Sequence, residues 1–162
     1  MNLPKRKPTR LKNYDYSQPG IYFVTMCVKN RKPILSTITV GATNGRPQEI
    51  HLSKYGEIVE GTIKNIPEYY PFIKIDNYVI MPDHIHLLLQ INSDKNGRPL
   101  VAPTIDRVIN QTKGYITKQI GFSIWQKSFY DHIIRNEKDY KEVWDYIENN
   151  PAKWLEDKFY RK

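Results

Sequence analysis

Apolar positions along the chain repeat in two ways, every second residue in short runs and every third or fourth in longer ones. Residues 21–28, rich in β-branched and aromatic side chains after Gln18-Pro19-Gly20, predict a strand. Tyr55, Ile58, Val59, Thr62, Ile63 and Ile66 fall at i, i+3, i+4, i+7, i+8 and i+11, which predicts a helix that Gly56 and Gly61 weaken and Pro67 stops. Residues 73–80 and 84–91 predict two strands, paired as a hairpin across the turn Pro82-Asp83. A second helix is expected over 104–120, with Ile105, Val108, Ile109, Tyr115 and Ile116 inward and Gly121 as its stop. Residues 130–134 read as a short strand. Asn136 then suits the N-cap of a third helix, whose first turn carries Glu137 and Asp139 and whose core stripe is Tyr140, Val143, Trp144 and Ile147, with Pro151 ending it. Segments 40–47 and 95–99 share Asn-Gly-Arg-Pro and read as exposed loops.

The order β, α, β, β, α, β, α, with one tight hairpin, predicts an α+β fold: an antiparallel β-sheet with helices packed on it, close to the ferredoxin-like split βαβ pattern. At 162 residues the expectation is a single domain over 1–162. The longest apolar runs are far too short for a bilayer and the N-terminus lacks the apolar stretch of a signal peptide, so a cytoplasmic protein without membrane contact is expected. Cys27, the sole cysteine, excludes a disulfide within the chain and a thiolate-rich metal cluster, and reads as a small buried hydrophobe.

The net charge of +8 points to a polyanionic partner. Residues 1–12 hold Lys5, Arg6, Lys7, Arg10 and Lys12 with no acid, which predicts a basic flexible tail. Together with twelve tyrosines, these cations suit single-stranded nucleic acid, where phosphates need neutralising and bases need flat partners. Arg107, Lys113 and Lys118 are expected on the outer face of the second helix. His132, on the last strand, could face the site but is expected in a structural role, and His51 is expected in solvent.

The sharpest chemical signal is His84-Ile85-His86. Side chains two apart on a strand share a face, about 6.5 Å apart at about 3.3 Å per residue, so the two imidazoles can meet one ion. Spacing alone leaves a metal site and a structurally satisfied pair equally open. On the third helix, Tyr146 lies roughly 110° from the core stripe at 3.6 residues per turn, with Asn150 one turn later on the same flank.

Three segments in this order, Met81-Pro82-Asp83-His84-Ile85-His86, Ile124-Trp125-Gln126-Lys127-Ser128-Phe129-Tyr130-Asp131-His132-Ile133-Ile134-Arg135 and Asp145-Tyr146-Ile147-Glu148-Asn149-Asn150-Pro151-Ala152-Lys153, resemble the REP-associated tyrosine transposases, relatives of the single-strand HUH transposases. The likeness spans residues 14–153. It implies a ferredoxin-like HUH fold, His84, His86 and Asn150 as ligands of a divalent metal (Mg²⁺ or Mn²⁺), and Tyr146 as the nucleophile of a DNA transposase that cleaves and rejoins single strands through a 5′-phosphotyrosine. Single-stranded or hairpin DNA, such as REP-like palindromes, is the implied partner, with a homodimer left open. Lys5, Arg6, Lys7, Arg10, Lys127 and Arg135 are the candidate DNA contacts, and the family's second motif is here short of one basic residue. A second reading is a catalytically silent module of the same fold that only binds nucleic acid, and a third has His84 and His86 as a structural zinc site in an unrelated protein.

Overall fold

The computed structural model describes residues 20–39, 49–92 and 104–160, with side chains described as far as residue 156. The two Asn-Gly-Arg-Pro loops and the basic tail, with Lys5, Arg6, Lys7 and Arg10, lie outside the described residues. The elements are β1 (Gly20–Cys27), β2 (Ser36–Thr39), β3 (Glu49–Leu52), α1 (Lys54–Tyr69), β4 (Ile73–Ile80), β5 (His84–Ile91), α2 (Ile105–Ile120), β6 (Tyr130–Ile134) and α3 (Glu137–Tyr160).

Four strands form one sheet in the order β4-β5-β1-β6, with every neighbour antiparallel. The crossover β1–α1–β4 therefore leaves room for β5 between its strands, and β5–α2–β6 leaves room for β1. These interleaved split βαβ units are the ferredoxin-like arrangement expected from the element order. The β4–β5 hairpin closes where expected, with Met81 N–H donating to the His84 carbonyl at 2.8 Å.

Helices cover both faces of this sheet. On one face, Tyr22, Val24 and Met26 of β1 and Ile85, Leu87 and Leu89 of β5 pack with Val59 and Ile63 of α1 and Ile105, Val108, Ile109 and Ile116 of α2. On the other, Phe23, Val79, Met81 and Leu88 meet Val143 and Ile147 of α3. Strand β5 is consequently buried on both sides, which accounts for its almost unbroken apolar run. Tyr140 fastens the start of α3 to β4 by donating its hydroxyl to Asp76 Oδ2 at 2.7 Å.

The helix ends follow local chemistry. Ser53 Oγ accepts from Gly56 N–H, Thr104 Oγ1 accepts from Arg107 N–H, and Asn136 Oδ1 accepts from Asp139 N–H. Gly121 stops α2 at φ 98, where a Cβ would be strained.

Several expectations are corrected. The antiparallel pair β2–β3 was not foreseen; Ile38 and Ile50 pack it against the α3 cluster. Pro67 lies inside α1, in its last turn, where the missing N–H leaves little helix to disrupt. Pro151 lies inside α3, which continues because Pro151 is itself buried and Trp154 beyond it packs with the second cluster. Tyr115 is 41% exposed, paired with Tyr69 on the outside of the helices. Lys113 is buried and donates Nζ to the carbonyls of Gln126 and Ser128 at 2.9 and 3.1 Å, which fixes the approach to β6. Cys27 is half-buried, its sulfur 2.8 Å from an Arg31 nitrogen. Among the described residues no helix is long and apolar enough to cross a membrane.

The two helix glycines of α1 should behave oppositely. A Cβ on Gly56 would sit 2.1 Å from the Leu35 carbonyl oxygen, whereas one on Gly61 meets nothing within 4 Å. In urea denaturation Gly61→Ala should raise stability by about 0.5–1 kcal/mol through helix propensity. Gly56→Ala should lower it by about 2 kcal/mol through overpacking.

Candidate active site

Strand register assembles the site. Thr25 of β1 pairs with His86 on one side and Tyr130 of β6 on the other, while Cys27 pairs with His84. Paired residues share a face, so both imidazoles point toward α3, and Ile85 and Leu87 point away. The imidazole centroids are 4.7 Å apart.

Each ring is held through its Nδ1. Asp83 Oδ1 lies 2.6 Å from His84 Nδ1, and Thr25 Oγ1 lies 2.7 Å from His86 Nδ1. Burial alone would raise the Asp83 carboxyl, but the hydrogen bond from His84 and the charge of Arg31 outweigh it and hold the group below its usual range. The carboxylate thus accepts a hydrogen bond at His84 Nδ1 and fixes the ring so that Nε2 is turned away from Asp83. His86 Nε2 is buried with no hydrogen-bond partner in the protein, and Phe23 stacks on the ring at 5.1 Å. Burial, then the positive charges of His84 and Arg31, drives the His86 imidazole from 6.5 down to about 3, against a smaller opposing pull from Asn150.

The far wall is one flank of α3. Asn150 is buried; its Nδ2 donates to the Tyr146 carbonyl at 3.3 Å, so its Oδ1 is left to accept elsewhere. Tyr146 is 42% exposed, its ring 5.3 Å from His86 and edge-on to Phe23 at 5.9 Å. Lys153 Nζ lies 5.2 Å from the centre of the Tyr146 ring, in cation–π range. A cleft of about 1120 Å³ opens over these groups. At its other end His132 Nε2 meets Asp139 at 2.9 Å beside Glu142.

No three His, Cys, Asp or Glu side chains among the described residues converge as a metal centre. The buried Nε2 of His86, the Nε2 of His84 and the Oδ1 of Asn150, which also pulls on the His86 ring, nevertheless make up a donor set of two imidazoles and a carboxamide that would suit a divalent ion with open positions. The structure therefore gathers His84, His86, Tyr146 and Asn150 in one cleft. Lys127 and Arg135 are exposed but do not line it; the Arg135 backbone N–H donates to Asp139.

Four contributors were missed. Asp83 adjoins the His pair in sequence and was legible there. Thr25 becomes visible only through strand register. Lys153 sits seven residues after Tyr146 on the same flank, concealed by the expected stop at Pro151. Arg31 lies in a single helical turn where Asn30 and Arg31 both take positive φ, 56 and 53. For arginine that region costs on the order of 1 kcal/mol. Its Nε donates to Asp83 Oδ2 at 3.1 Å.

Comparison with known proteins places these residues in context. The chain is 33% identical over 174 residues to an uncharacterised protein of Haemophilus influenzae, covering 96% of this chain and 93% of that protein. It is 30% identical over 156 residues to another protein of that organism, provisionally described as a REP-associated tyrosine transposase, with coverage of 88% and 77%. Identity to the REP-associated tyrosine transposase of Escherichia coli K12 is 28% over 142 residues, with coverage of 85% and 70%. Among solved structures, a REP-associated tyrosine transposase bound to a REP hairpin superposes with a TM-score of 0.65 at 23% identity, over 89% of this chain and 73% of that one. A provisionally named transposase from Deinococcus radiodurans R1 superposes at 0.50 with 16% identity, over 86% and 95%. No family model matches the chain. At these identities the superpositions speak to the fold.

The depressed His86 pKa has a signed consequence. Below pH 6.5 the unfolded chain takes up a proton at His86 that the folded chain refuses until about pH 3, so the metal-free protein should lose stability as pH falls through this interval. Denaturation midpoints measured from pH 7 to 4 should show that decline. In His86→Gln the decline should be shallower.

Proposed function

Because this chain belongs to the REP-associated tyrosine transposases, we propose that it cleaves and rejoins single-stranded hairpin DNA through a 5′-phosphotyrosine on Tyr146. The observation that carries this reading is the placement of an exposed phenol ring 5.3 Å from a buried imidazole ring, in a cleft of about 1120 Å³. The hairpin as partner is supported by the REP hairpin held by the structural relative.

The Tyr146 oxygen would attack the phosphorus of a DNA phosphodiester, forming a Tyr146–phosphate bond while the bond to the 3′ oxygen breaks. The proton lost from the phenol is matched by one gained on the released 3′-hydroxyl. One ester is exchanged for another, so the step reverses without a nucleotide triphosphate. A phenol is a weak nucleophile at neutral pH, and the ammonium of Lys153, 5.2 Å from the centre of its ring, puts a positive charge where it can help hold the incoming phosphate. Phe23 and the core stripe of α3 hold the ring in place. His84, His86 and Asn150 would hold Mg²⁺ or Mn²⁺, which when bound supplies Lewis-acid polarisation of the phosphate.

Incubation of the protein with labelled hairpin oligonucleotides carrying single-stranded flanks, with and without Mn²⁺, tests the reading on a denaturing gel. A covalent adduct should form with the parent and be absent from Tyr146→Phe, which should keep hairpin binding and change stability by no more than about 1 kcal/mol. An adduct on the Phe variant would refute the nucleophile, and no adduct with the parent on any hairpin would favour the silent binding module. Calorimetry with Mn²⁺ should show binding lost in the His84→Ala/His86→Ala double variant. Lys153→Ala should slow adduct formation about tenfold at pH 7 through loss of a positive charge beside the reacting phosphate, with stability little changed.

A further inference from the structure

We propose that Arg31 is a phosphate-binding residue of the cleft, gripping one backbone phosphate of the DNA strand beside the His84–His86 pair. The proposal rests on the nucleic-acid reading above and adds a residue that neither motif spacing nor the flank of α3 supplies.

Three observations carry it. The first is orientation. The guanidinium is anchored on its inner side, Nε to Asp83 Oδ2 at 3.1 Å and one terminal nitrogen to Cys27 Sγ at 2.8 Å. Asp83 is buried, and its own neighbour Val28 donates to the Asp83 carbonyl at 2.9 Å, so the anchor is rigid. The remaining terminal nitrogen lies 3.5 Å from His84 Nδ1, at the long limit for a hydrogen bond, so it is only weakly held there.

The second is spare capacity. Of five guanidinium N–H donors three are engaged among the described residues, one of them only by the long contact to His84, and the side chain is 49% exposed where it lines the cleft. A planar fork with donors to spare, lining the same cleft as His86, matches the geometry of a phosphate oxyanion pair. The third is strain: Arg31 is held at φ 53, directly after Asn30 at φ 56, a conformation that glycine adopts freely and arginine does not. A strained arginine aimed into a cleft is the pattern expected where position matters to a ligand more than to the fold.

A purely structural Arg31 would serve only to brace Asp83 and, through it, His84. The two roles part company in binding experiments on the full chain, carried out in the Tyr146→Phe background so that no bond breaks and the outcome does not depend on the nucleophile. The probe is a hairpin oligonucleotide with a single-stranded flank, and a set in which each flank phosphate is replaced in turn by an uncharged methylphosphonate. Arg31→Gly removes the side chain and relieves the φ. It should change the thermal midpoint only slightly, since relief of the φ offsets the lost contact to Asp83, which His84 still holds, and should weaken DNA binding about tenfold and lower the slope of log affinity against log salt by about 0.7, the share of one single-strand phosphate contact. Arg31→Lys should keep the slope and lose part of the affinity, since it keeps charge without the fork.

One methylphosphonate position should weaken the Arg31 protein and leave Arg31→Gly indifferent. Mn²⁺ affinity should change less than about threefold in both variants, well inside the tenfold or more typical of a lost metal-orienting contact. An unchanged salt slope, equal sensitivity to every methylphosphonate, or a fall in thermal midpoint and Mn²⁺ affinity parallel to the fall in DNA affinity would each overturn the proposal. Absence of covalent adduct with the parent protein would refute the catalytic reading while leaving the Arg31 result intact.

Discussion

Everything in this molecule hangs on β5 being covered from both sides. A strand buried on both faces has no solvent side onto which polar groups can be turned, so the two imidazoles it carries must find partners inside the fold. They find Asp83 and Thr25 for one nitrogen each. The register that achieves this is stringent: a slip of one residue against β1 would send Ile85 and Leu87 toward α3 and drive both histidines into the apolar layer beneath α1 and α2.

Helix α3 solves the complementary problem. Tyr140, Val143, Trp144 and Ile147 attach it to the sheet, and the neighbouring flank of Asp139, Tyr146, Asn150 and Lys153 overhangs the imidazoles. One rigid rod thus serves as both lid of a core and wall of a cleft, and reactive groups gain their positions from packing several residues away. The local costs are visible in the unpartnered His86 Nε2 and in Arg31 at positive φ. Two apolar clusters, one on each face of the sheet, offset them.

Most of this architecture is legible in the residue pattern. The β4–β5 hairpin, the extent of α2 with its stop at Gly121, β6 and the Asn136 cap follow from period and capping chemistry. The His84–His86 pair and the Tyr146–Asn150 flank follow from the same periodicities. What escaped was set by tertiary contact: Trp154 draws α3 past Pro151, the Gln126 and Ser128 carbonyls draw Lys113 inward, and β2–β3 is stabilised by packing on α3. Thr25 and Arg31 belong to the site only through strand pairing and through an unusual turn, neither of which leaves a periodic trace.

The interleaved crossovers also fix when the cleft can exist. Its floor comes from β1 and β5, which must close around each other's crossovers before Thr25 meets His86, and its wall comes from α3 at the far end of the chain. Contacts so distant in sequence form late, since chain closure must be achieved before they are rewarded. A chain still lacking α3 has the imidazoles without the phenol. The fold itself therefore withholds the complete constellation from every partly assembled form of the protein.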